Sequence, residues 1–63
     1  MKNFEITAAL ADAAADLGVE NNEEFLALPR RIDRAEWLLI AALSLGNQAA
    51  ADRMSAVIAA LPH

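Results

Sequence analysis

The chain has no cysteine and no tyrosine, only two phenylalanines and one tryptophan, and a single histidine. Without cysteine there is no disulfide, no thiolate metal site and no thiol nucleophile. The histidine is residue 63, at the far end of the sequence, where a histidine-centred acid–base site is not expected. Glycine occurs twice, 28 positions apart, so no glycine-rich loop can cradle phosphate. No apolar run exceeds seven residues, Trp37 to Leu43, against about 20 for a membrane span. The opening Met1-Lys2-Asn3-Phe4-Glu5 has no apolar stretch behind a charged segment and does not read as a signal peptide. The expectation is a cytoplasmic protein with no membrane association.

Positive charge is also scarce. Five basic residues face nine acidic ones, for a net charge of −4. An acidic chain is repelled by a phosphate backbone, which disfavours nucleic acid as a partner. Hydrophobicity is high enough, and net charge modest enough, to exclude a disordered chain.

What is abundant is alanine. Of 36 apolar residues 16 are Ala, which leaves 20 larger ones in a single 63-residue domain. Alanine, leucine and glutamate favour helix, and only six Ile and Val residues occur. The punctuation (Gly18, Pro29, Gly46, Pro62) divides the chain into three long helices and a short one. The start and stop signals predict a helix over 4–17, capped by Asn3 and stopped by Gly18. Its apolar face is Ile6, Leu10, Ala13, Ala14 and Leu17. A short helix over 22–28 is capped by Asn21 or Asn22, anchored by Phe25, Leu26 and Leu28, and ended by Pro29. A third runs over 33–45, with Asp33 as N-cap and Glu36 three residues on as a capping box. The fourth runs over 47–61 from an Asn47 cap, with Ala50, Met54, Val57, Ile58 and Leu61 in a stripe. The fold class expected is all-α, a compact bundle of three main helices plus one short helix.

The third helix is the informative element. From Trp37 to Leu45 only Ser44 is polar. A helix that is apolar all round must be covered all round. Short Ala-rich neighbours cover about half of it, and small domains have little surface to spare for the rest. The bundle is therefore expected to pack as a homo-oligomer, a two-fold dimer being the commonest arrangement. The interface expected from the pattern is Trp37, Leu38, Ile40, Ala41, Leu45, Met54 and Ile58. The competing arrangement is a monomer in which Phe4, Phe25 and the first helix shelter the third.

Three of the five bases lie within five positions, Arg30, Arg31 and Arg34, with Trp37 one turn later. Arginine offers paired donors to phosphate or carboxylate, and tryptophan a ring to stack on. These four are the candidate ligand-binding residues, for a phosphate-bearing small molecule such as a nucleotide. Asp33, Glu36, Glu23 and Glu24 stand close enough in sequence to neutralise them. Asp12 and Asp16, with Glu5 or Glu20, are a weak candidate for a hard cation; no metal and no cofactor is expected. Ser44, Ser55 and Thr7 are hydroxyls without a base, so an enzyme is not expected.

The function expected is that of a small non-catalytic binding protein, a regulator or inhibitor acting by oligomerisation and protein–protein interaction. Asp12, Asp16, Glu20, Glu23 and Glu24 form an acidic arc suited to a basic partner. The alternatives are an oligomeric nucleotide binder using the arginine cluster, and a DNA-binding regulator. The last would read DNA from a helix-turn-helix of the final two helices through Asn47, Gln48 and Arg53.

Overall fold

The computed structural model describes residues 1–62; His63 lies outside the described residues, and with it the expectation placed on the histidine. Four helices follow one another: α1 (Asn3–Asp16), α2 (Glu23–Leu26), α3 (Arg31–Ser44) and α4 (Gln48–Ala60). Among the described residues there is no strand. The Cα radius of gyration is 10.4 Å. A folded domain of this length is expected near ~10.6 Å, so the single chain is as tightly packed as an ordinary monomer.

Two helix ends are built alike. Gly18 has φ 70° and Gly46 has φ 71°, the left-handed conformation that glycine adopts without steric cost. At the first, the Val19 N–H reaches the Ala14 carbonyl at 2.9 Å and the Gly18 N–H the Ala15 carbonyl at 3.1 Å. At the second, the Asn47 N–H reaches Ala42 at 2.9 Å and the Gly46 N–H reaches Leu43 at 3.2 Å. This pair of bonds closes the orphan carbonyls of each helix. Asn47 then serves twice, because its side-chain oxygen also accepts the Ala50 N–H at 3.1 Å and caps α4. With no residue to spare between them, α3 and α4 fold sharply against each other. Asn22 caps α2 in the same way, accepting the Phe25 N–H at 3.0 Å.

Two expected caps are displaced. The N-cap position of α1 is Lys2, which has no side-chain acceptor, and Asn3 is already helical. The Asn3 amide oxygen is turned instead to Arg31 Nη1, at 3.3 Å. Asp33 is not the N-cap of α3 either. The extended residue is Arg30, so the helix starts two residues earlier than expected and Asp33 sits in its first turn. There its carboxylate takes two hydrogen bonds from Arg30, Nε at 2.8 Å and Nη2 at 2.9 Å. A capping box fails because the cap residue carries a guanidinium rather than a hydroxyl, and the acid answers that charge. The remaining helix boundaries agree with expectation to within one or two residues at each end.

Apart from Ile58, which is half-buried, the core is where the stripes predicted it. Ile6, Leu10, Ala13, Ala14 and Leu17 of the α1 segment are buried, as are Ala50, Met54, Val57 and Leu61 of the α4 segment. They close on Ala35, Leu38 and Ala42 of α3 and on Phe25 of α2. Alanine at 13, 35, 42 and 50 has no exposure at all, which marks where helices come closest. No described buried side-chain polar atom lacks a partner.

α3 is covered on one side only. Leu38 has no exposed surface, whereas Ile40 is 66% and Leu43 57% exposed. Phe4 is 69% exposed and so does not shelter the third helix; Phe25 does. Among the described residues, no helix is long and apolar enough to cross a membrane.

Candidate functional site

The arginine cluster is dispersed by the fold. Arg30 is tied to Asp33 in a surface pair. The two hydrogen bonds from Arg30 hold the Asp33 carboxyl below its ordinary value, and the same contact holds the guanidinium more firmly charged. Arg34 turns toward α2. Its Nε donates to the Leu28 carbonyl at 3.0 Å and its Nη2 to the Leu26 carbonyl at 3.3 Å. Its guanidinium lies 5.4 Å from the centroid of the Phe25 ring, within cation–π range. Trp37 completes the clamp. Its ring lies 5.4 Å from that of Phe25 at an interplanar angle of 41°, and its Nε1 donates to Glu24 Oε1 at 2.7 Å.

These contacts explain how a four-residue helix persists. α2 is far too short to be stable alone. Its last carbonyls are answered by Arg34, its side chain Phe25 is held between Arg34 and Trp37, and its acid Glu24 by the indole. Arg34 and Trp37 thus hold α2 onto α3, and the four candidate residues do not converge on one ligand space.

The residues proposed to read DNA are engaged in similar ways. Asn47 caps α4. Gln48 donates to Asp52 at 2.8 Å. Arg53 donates to Asp16 at 2.6 Å, joining α4 to the end of α1. The candidate cation cluster is divided by that same pair, and among the described residues no three His, Asp or Glu side chains come together to hold a metal. The Thr7 hydroxyl donates to the Asn3 carbonyl of its own helix at 3.1 Å. Of the acidic arc, Asp16 and Glu24 have partners within the chain, while Asp12, Glu20 and Glu23 are exposed.

The residues expected at an oligomer interface divide into two groups. Leu38 and Met54 are completely buried within the chain and have no surface to offer a second copy. Both belong to the core that α3 and α4 close between them, the most extensive contact between helices in the molecule. Trp37, Ala41 and Ile58 are half-buried, and Ile40 and Leu45 are exposed. Four residues not expected there, three of them apolar, belong with Ile40. Ile32, Glu36, Leu39 and Leu43 follow a 4–3–4 spacing and lie on one face of α3, flanked by Ile40. Such spacing is that of a helix–helix seam. It is legible in the sequence, but in a helix apolar on every side it does not stand out from the stripe that faces the core.

The fold also forms a cleft of about 280 Å³ between α1, α2 and the start of α3. Leu10, Ala11 and Ala14 of α1 and Phe25 of α2 make it apolar. Thr7, Glu20, Arg31 and Arg34 supply its polar groups. Of these, Thr7 and Ala11 carried no signal in the sequence, since alanine and an isolated hydroxyl look the same on any helix face.

Comparison with known protein families, with curated proteins and with solved structures finds no match.

Proposed function

We propose that this protein is a non-catalytic binding protein whose working form is a homo-oligomer, in the first instance a two-fold dimer, joined through the outer face of α3. One observation carries the reading. Ile40 and Leu43 are more than half exposed, on a face that they share with Glu36 and with Ile32 and Leu39, which are half-buried against the core. Exposed apolar surface costs roughly 25 cal/mol per Å² relative to burial, and a contiguous stripe of it marks an interaction surface. The spacing suits a second copy of the same helix, because a two-fold axis sets each stripe against itself, and the exposed Glu36 on that stripe weakens the contact. Loose packing is no explanation of the stripe, since the chain is as compact as an ordinary folded domain of its length.

The small area and the like charges both point to a weak association. A standard interface takes about 800 Å² from each partner, and α3 is about 21 Å long. One helix face supplies less than that, so the dimer is expected to dissociate in the micromolar range. Net charge opposes it, because each copy carries −4. Added salt screens that repulsion and tightens the dimer.

The oligomer acts by contact with another protein, as a regulator or inhibitor. Support for this part is chemical: the side-chain groups that would carry a reaction are either engaged in the fold or isolated, while Asp12, Glu20 and Glu23 stay in solvent and favour a basic partner.

Sedimentation equilibrium from about 5 µM to 1 mM tests the proposal. Native protein is expected to move from 6.7 kDa toward twice that mass, and Ile40→Lys with Leu43→Lys to stay at the monomer mass. Native protein that remains a monomer throughout defeats the reading.

A further inference from the structure

The cleft between α1, α2 and α3 is independent of the outer face of α3, and its charges are distributed unusually for so acidic a chain. Among the described residues the protein has two ion pairs, and they use Arg30 and Arg53. The other two arginines, Arg31 and Arg34, have no carboxylate partner, and both line this cleft. They stand three residues apart, hence on one face of α3. Arg34 is held in place by the Leu26 and Leu28 carbonyls through Nη2 and Nε, with Nη1 uncommitted. Arg31 is held only by one long bond to Asn3, at 3.3 Å. One guanidinium is therefore fixed in advance, and the other can swing.

We propose that this cleft binds a small monoanionic carboxylate with an apolar body. Arginine matches a carboxylate with paired donors, and two of them on one wall define where the head group sits. The body lies against Leu10, Ala11, Ala14 and the Phe25 ring. Size limits the ligand. The cleft, about 280 Å³ and open to solvent on one side, takes a body of about the size of one aromatic ring. Glu20 limits the charge. It lines the same cleft without pairing to either arginine, so it repels a second negative charge and favours a carboxylate over a doubly charged phosphate.

Benzoate has nine non-hydrogen atoms and one negative charge, and benzamide is its neutral isostere. Titration of ¹⁵N-labelled protein with each, up to about 10 mM, reads the site directly. Benzoate is expected to shift the amides of Thr7, Ala11 and Arg31 saturably, and benzamide to bind at least about tenfold more weakly. Arg31→Gln is expected to weaken benzoate by about tenfold. Ala11→Leu, at an exposed position of α1, fills the cleft and is expected to abolish binding without unfolding the chain. Circular dichroism establishes that both variants remain helical. The proposal is overturned if benzoate gives no saturable shifts, if benzamide binds equally well, or if Ala11→Leu binds benzoate like the native protein.

Discussion

The two sides of α3 are made of the same residue types and meet opposite fates. On the inner side Leu38 and Ala42 are fully enclosed by Met54, Val57 and the α1 alanines. On the outer side Ile40 and Leu43, two and one positions away from them, stand mostly in water. Hydrophobicity alone does not decide which residue becomes core. What decides it is which face the neighbouring helices reach: α1 and α4 pack on the inner side and α2 is held at Arg34 and Trp37, which leaves the outer side bare. Alanine permits close approach, but close approach narrows the arc that each neighbour covers. The inner side is where the chain holds itself together; the outer side is what remains for something else.

The sharpest way to break the comparison is to truncate each side. Leu38→Ala leaves a cavity in the core and is expected to cost about 2–5 kcal/mol. Chains of this length have about 3–9 kcal/mol in total, so this variant is expected to be largely unfolded at 37 °C. Ile40→Ala, measured in dilute solution where the monomer dominates, is expected to change stability by no more than about 0.5 kcal/mol. Urea unfolding followed by circular dichroism compares the two. Equal costs would mean that the outer residue is core after all.

A smaller effect is expected at the turn that folds α3 onto α4. A Cβ at Gly46 meets nothing within 4 Å, so Gly46→Ala isolates the conformational cost of φ 71°. That cost is about 1–2 kcal/mol. Asn47→Ala, which removes the cap of α4, is expected to cost about 1 kcal/mol by the same assay. A gain in stability from either change would contradict the turn geometry.

The smallest effect is one of pH. In the native chain Asp33 titrates below its ordinary value of 3.8 because Arg30 donates to its carboxylate. A carboxylate lowered on folding stabilises the native state above its unfolded value, and that contribution fades as pH falls through the native one. The urea midpoint of the native protein is expected to exceed that of Asp33→Asn at about pH 5 and to converge with it in stronger acid. A difference that stays constant with pH would assign Asp33 no electrostatic part.

How much of this was legible beforehand follows the same division. The faces of α1 and α4 were legible because each has one stripe and a charged back. Gly18 and Gly46 were legible because helix ends need a residue that tolerates positive φ. The arginine cluster shows that closeness in sequence is not convergence in space. Three arginines and a tryptophan in sequence suggest a shared ligand, but the four-residue α2 needs outside partners for its carbonyls and its phenylalanine, and Arg34 and Trp37 supply them. Nothing local to Arg34 announces a bond to Leu28. Leu38 is core rather than interface for a related reason: on a helix apolar all round, only the position of the neighbours separates inner from outer, and Met54 is buried against the same core from α4. The cleft was invisible, because it depends on how α1 and the start of α3 come together.

The outer face of α3 is proposed to meet its own copy. The most direct measurement mixes ¹³C-labelled with unlabelled protein at high concentration and records isotope-filtered NOEs. Contacts between chains are expected from the methyls of Ile40, Leu43 and Leu39, and none from Leu38 or Met54. Contacts confined to other surfaces, or the absence of any between chains, would contradict the account.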